Sequence, residues 1–194
     1  MMDSYIKLKG DRLIIAILIE KYLKDNIDLY RKSSDKVKKG IEMFIQPQLF
    51  YVLGFSYKKY SGFISQRYKD DLIENPSTKP SYNHSEPRLQ VCKKLFENYD
   101  KYDWTGDGIV IEREVNTFRF DIYTQSENKG RYKEENITRI PMPLETVQKM
   151  KRYQTYWDKG WFRSRKLTFE EIQKIPLNKK FKNEVELLNV IITI

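Results

Sequence analysis

Gly108-Ile-Val-Ile-Glu-Arg-Glu-Val-Asn-Thr-Phe-Arg-Phe-Asp-Ile-Tyr-Thr124 is the stretch in which the periodicity of this chain changes, and its reading decides the fold. Ile109 and Ile111 share one parity, while Phe118, Phe120 and Ile122 share the other. Alternation of this kind marks a half-buried strand. The expectation is therefore a strand over 109–124, with a bulge or turn near Asn116 where the phase switches.

Upstream of that stretch the spacing is helical. Asp11 stands ready to cap a helix through the run Leu13–Ile19, whose two-sided apolarity predicts burial, and a strand through Ile19 is the alternative. Ser34 or Asp35 caps a second helix toward Phe44 that Pro47 ends. Tyr57, Tyr60, Ile64, Tyr68 and Leu72 recur at the spacing of a third helix, interrupted only by Gly62. Residues 75–87, rich in Pro, Ser and Asn, read as a loop. Ser85 then caps a fourth helix with Leu89, Cys92, Leu95, Phe96 and Tyr99.

Downstream, a polar loop is expected at 125–135 and a short strand at 136–140. Pro143 opens a helix with Leu144, Val147, Met150 and Trp157, and Gly160 closes it. Thr168-Phe-Glu-Glu171 fits a capping box for a helix that Pro176 stops. The β-branched end, Val185 to Ile194, reads as a strand that pairs within its own sheet or a neighbour's. The class is α+β: a helical N-terminal half, then a small mostly antiparallel sheet with two further helices and a C-terminal strand. In regions, that is 1–75 helical, 76–87 loop and 88–194 mixed, with the last packed on the first as one unit.

Composition removes several functions. His84 and Cys92 are each the only one of their kind, so Cys/His zinc sites, intrachain disulfides and nucleophiles activated by a His base are set aside. No glycine-rich phosphate loop occurs. Neither a cofactor nor a metal is expected, and no small-molecule substrate is evident. The seven-residue run at 13–19 is too short for a membrane span of about 20. Ala16 is the only alanine, whereas the residues of AT-rich codons abound. An AT-rich bacterium, a phage or another mobile element would produce that composition. Net charge is +9 and the isoelectric point about 9.4, a balance that suits an anionic partner.

Asp103 to Glu114 resembles the calcium loop of the EF-hand family. Asp103, Thr105 and Asp107 occupy the first ligand positions, Gly108 the sharp turn, Val110 the apolar position and Glu114 the bidentate one. Ile111 departs from the pattern, the alternating segment that follows departs from the exiting helix, and no second loop pairs with this one. The stretch is read as a turn leading into a strand. Asp107, Glu112, Glu114 and Asp121 are the nearest set of carboxylates for a metal-dependent nuclease, with Glu112 and Glu114 on one face of the expected strand.

Residues 149–166 interleave cations with aromatics, the chemistry that grips phosphates and stacks on bases. The candidate nucleic-acid contacts are Lys149, Lys151, Arg152, Lys159, Trp161, Arg163, Arg165 and Lys166, with a solvated cationic helix face as the structural alternative. Trp161 and Phe162 follow Gly160 as surface contacts. Arg163 and Arg165 would lie on one side of an extended segment.

The leading expectation is a non-enzymatic assembly protein that forms an oligomer with itself and neighbouring assembly proteins. It is of the kind found in a phage particle, such as a head-to-tail connector ring, placed in the virion or the host cytoplasm. The alternative is a DNA- or RNA-binding module of a phage or mobile element, and a metal-dependent nuclease comes third.

Overall fold

The computed structural model describes residues 5–54, 56–84, 88–131 and 136–193. In chain order the elements are α1 (Asp11–Lys32), α2 (Asp35–Leu53), β1 (Tyr60–Ser65), α3 (Gln66–Glu74), β2 (Pro80–His84), α4 (Arg88–Glu97), α5 (Ile109–Thr117), β3 (Phe120–Thr124), β4 (Arg139–Pro141), α6 (Leu144–Asp158), α7 (Phe169–Gln173) and α8 (Glu184–Thr193). The class is α+β. Contacts divide the chain into two units interleaved in sequence: the described parts of Met1–Lys59 and His84–Phe120, and those of Tyr60–Asn83 and Asp121–Ile194.

The first unit packs α1 against α2, α4 and α5. Its core includes Ala16, Ile19, Leu23, Ile45, Leu49, Cys92, Leu95 and Ile111. Two residues of α1 set the position of α5. A Cβ at Gly108, whose φ is +83°, would stand 3.2 Å from that of Ala16, so these two small residues let the turn before α5 lie close on the helix beneath it. One turn along, the buried Glu20 carboxylate accepts from the backbone N–H groups of Val110 (3.0 Å) and Ile111 (3.4 Å). It fills the role of an N-cap from a distant element and places negative charge at the positive end of α5. Glu112 and Asn116, one turn apart on α5, hold the N-terminal segment. Glu112 accepts from the Tyr5 hydroxyl (2.6 Å) and the Leu8 N–H (2.7 Å), and Asn116 exchanges hydrogen bonds with the backbone of Ile6.

The second unit contains the sheet, ordered β2-β3-β1-β4, with β1 and β4 antiparallel and Ile64 opposite Ile140. Ile64, Tyr68, Leu72, Ile122, Met150, Tyr153, Phe162, Ile172, Leu187 and Ile191 are buried in this unit. Asp121 on β3 is held by Arg139 of β4 at 2.7 Å and by the hydroxyl of Ser61.

Several expected elements take another form. Residues 109–117 are helical, because Asp107 accepts from the Ile109 N–H and Glu20 satisfies the next two donors. Only 120–124 is strand, and the change of phase is the junction between helix and strand. Residues 57–65, read as helix, form a 3-10 turn and β1. Gly62 sits at φ +96°, outside the helical region, and its carbonyl pairs with the Met142 N–H at 2.8 Å. The sheet thus takes β1 from the half that looked wholly helical. It takes β2 from within the expected 75–87 loop. The segment 127–131, expected as loop, is a short wide helical turn.

Pro47 does not end the second helix, which runs on to Leu53. Ile41, Ile45, Leu49 and Val52 form one continuous buried stripe, and its burial outweighs the roughly 3 kcal/mol cost of an interior proline. Val185–Thr193 is helix, not strand. Asn183 accepts from the Glu186 N–H at 2.9 Å, Glu186 reaches back to the Lys182 N–H at 3.0 Å, and Leu187 and Ile191 point inward one turn apart. The expected cap at Ser85 lies outside the described residues. The helix opened by Pro143 and the capping box at Thr168 and Glu171 stand as read.

Enlarging the packed site should be costly: Ala16→Val is expected to lower the unfolding free energy by about 1–3 kcal/mol, measured by urea denaturation. A second test concerns Lys59. Burial, with Arg119 nearby, lowers its ammonium from 10.5 to about 8 while the amine donates to the Val115 carbonyl. The unfolded chain keeps that proton to higher pH, so this contribution to stability rises from about pH 8 to 10.5 and is lost below. The urea midpoint of the wild type should gain on that of Lys59→Met between pH 7 and pH 10.

Candidate nucleic-acid interface

α6 carries the basic and aromatic segment because Thr146, Val147, Met150, Tyr153, Tyr156 and Trp157 turn inward and leave the cations on the remaining faces. Gly160 (φ +92°) ends the helix, and the chain doubles back through Phe162, a residue with φ +61°. Phe162 is fully buried, against the expectation of a surface contact, and packs near the ring of Tyr153. Trp161 is half-buried and lies flat on Tyr156, with ring centroids 4.6 Å apart and planes 3° from parallel.

The candidate cations have individual partners within their unit. Lys149 donates to the Gln173 carbonyl (2.7 Å) and pairs with Glu145 (2.9 Å). Arg152 spreads its guanidinium over the carbonyls of Pro176, Leu177 and Lys179, which fixes that loop on α6. Arg163 donates to the Trp157 carbonyl at 3.0 Å and stacks on the Trp157 ring, at the negative end of α6. Arg165 pairs with Glu171, and Lys166 donates to the Glu74 carbonyl. Burial raises the Glu171 carboxyl, but the Thr168 N–H and Arg165 together hold it below the usual carboxylate range. Lys159 approaches the Tyr156 ring, and Lys151 is exposed. Residues 161–165 form a turn and bend, so Arg163 and Arg165 do not share a side of an extended segment.

A carbonyl partner fixes a guanidinium without neutralising it. The positive charge therefore persists, and it is concentrated. Residues 149–182 hold eleven of the 36 cations and three of the 27 acids, which leaves the rest of the chain close to neutral. Lys174, Lys180 and Lys182 extend the exposed set beyond the expected segment.

The carboxylates considered for metal chemistry do not converge. Asp107 accepts from Thr105 (2.6 Å) and Ile109, Glu112 is committed to Tyr5 and Leu8, and Glu114 faces Lys94 at 3.4 Å. Glu112 and Glu114 are on a helix, not a strand, and so point to different sides of it. The segment leaving the EF-hand-like loop is helical, and three of the ligand positions, Thr105, Asp107 and Glu114, are engaged in these internal contacts. Among the described residues no group of three His, Cys, Asp or Glu side chains is placed to hold a metal ion. No helix among them is long and apolar enough to cross a membrane.

A different surface, in the first unit, went unread in the sequence. Tyr22 and Phe44, equally far from the turn at Ser33, stack at 4.7 Å and fix α1 and α2 as an antiparallel pair in register. On the outward side of that pair Ile14, Leu18, Leu29, Val37, Met43, Phe44, Phe50 and Tyr51 are each 48–59 % exposed. Between Gly40 and Gly54 the single charged residue is Glu42, and it is buried on the Tyr30 hydroxyl at 2.7 Å. That uncharged run was the available signal. Comparisons of the chain with protein-family models, with curated proteins and with solved structures each returned no match.

Proposed function

We propose that this chain is a non-enzymatic assembly protein that works as part of an oligomer. The observation that carries the reading is the outward face of the α1–α2 pair. A helix apolar on both sides is normally a buried helix, and large apolar side chains gathered on an exposed helix face mark an interaction site. α2 is such a helix, with Ile41, Ile45, Leu49 and Val52 inward and Met43, Phe44, Phe50 and Tyr51 outward. Strand exchange through the C-terminus has no part in this reading, because that segment is α8. The form suggested by the AT-biased composition is a phage component such as a head-to-tail connector ring.

A second reading, a DNA- or RNA-binding role for the other unit, is favoured by the concentration of charge in 149–182. A connector that lines a DNA passage would combine the two.

Native mass spectrometry of the purified chain at low micromolar concentration tests the first reading. A fixed oligomer is expected, a closed ring would favour the connector form, and a monomer at every concentration would count against assembly. The second reading is tested by duplex affinity as a function of salt. Lys159→Gln, Lys180→Gln and Lys182→Gln, which leave Arg152 and Arg163 in place, are expected together to lower the salt slope by about 3 if each cation meets one phosphate. Binding that does not respond to salt would remove it.

A further inference from the structure

The outward face of α2 has a spacing of its own. Gly40, Met43, Pro47 and Phe50 follow one another at intervals of three, four and three residues, the pattern by which one helix packs along another. All four are exposed, Phe50 with its ring 6.5 Å from that of His84 in an edge-on contact, and Phe44 and Tyr51 border the line. Gly40 is the informative member. It is within a helix with no left-handed φ, and a Cβ there would meet nothing within 4 Å. An interior glycine weakens a helix by about 1 kcal/mol relative to alanine, and nothing in its own chain requires the space above it.

We infer that this face is covered by a second copy of the chain, with the two α2 helices antiparallel about a two-fold axis at the level of Ile45. This names the partner in the assembly proposed above and rests on that reading. The two-fold pairing is self-complementary in size. Gly40 and Phe50 lie equally far from Ile45 in opposite directions, so Phe50 of each copy meets the open space above Gly40 of the other. Met43 and Pro47 are related in the same way.

The extent of the face agrees. Eight large side chains, each about half exposed, offer about 800 Å² at roughly 200 Å² for a large side chain, which is what one partner contributes to a standard interface. The composition agrees as well, since Phe, Tyr and Met are enriched and charge is depleted at interface centres. α1 widens the contact through Ile14, Leu18 and Leu29, in register with Val52, Gln48 and Val37. A membrane surface or an unrelated apolar partner would also cover such a face. Neither accounts for a space at Gly40 matched to a ring at Phe50.

Sedimentation velocity of the full chain from 1 to 100 µM tests the pairing, with circular dichroism and thermal melts as the check on folding. The wild type is expected to dimerise or to form an even-numbered assembly. Met43→Glu should weaken association at least 100-fold. Gly40→Leu should do the same while raising the melting temperature of the isolated chain, because it removes a helix-interior glycine and fills only outside space. The double variant Gly40→Leu with Phe50→Ala should recover at least 10-fold of the lost association, a readout that a folding defect would not produce. Should Met43→Glu fail to fold, the Gly40 series decides alone. An oligomer unaffected by both single variants would overturn the pairing and leave assembly standing. A wild-type monomer at 100 µM would overturn both.

Discussion

The contact between Ala16 and Gly108 is the constraint on which the first unit depends. Its closeness permits the turn at 105–108 to lie directly on α1, and this in turn brings the N–H groups at the start of α5 within reach of Glu20. With α5 fixed there, Glu112 and Asn116 present their polar atoms to the N-terminal segment, and Val115 presents its carbonyl to Lys59. A larger side chain at either position would move the helix away from its Glu20 cap. This also gives the single alanine of the sequence a physical role. A composition that nearly excludes alanine has it at a fully buried site, against the close turn at Gly108.

How much of this was legible depended on where the determining atoms lie. α6 and α7 were readable because their signals are local: a proline before, a glycine after, and a Thr–Glu pair three residues apart. α5 was not, since one of its two capping carboxylates comes from Glu20, far away in sequence, and the alternation of isoleucines imitates a strand. α2 was cut short because Pro47 is a local stop signal, and the stripe of Leu49 and Val52 that overrides it acts through tertiary packing. α8 is a different case. Asn183 and Glu186 form a legible start signal that the β-branched character of the terminus outweighed.

The candidate sites divide in the same way. Charge and aromatic content over 149–166 were plain in the sequence, but the partners of Arg152 and Lys166 are backbone carbonyls, and a carbonyl has no residue type to read. The same is true of Arg163 at the end of α6. Rigid cations held by neutral groups still project their field, so the loop at 176–179 is organised and the surface remains positive. The apolar face of the first unit was concealed for another reason. Periodicity identifies one apolar stripe per helix, and α2 has two, one buried and one exposed.

The interleaving of the two units bears on the order of events during synthesis. As the chain leaves the ribosome, β1, α3 and β2 appear before β3 and β4, their partners in the sheet, have been made. The first unit lacks α5 until residue 117 has emerged. For that interval 60–83 is a tethered insertion between two halves of a helical body, with its strand edges unsatisfied. Neither unit exists as one continuous stretch of sequence, so no single cut can divide the chain into the two of them.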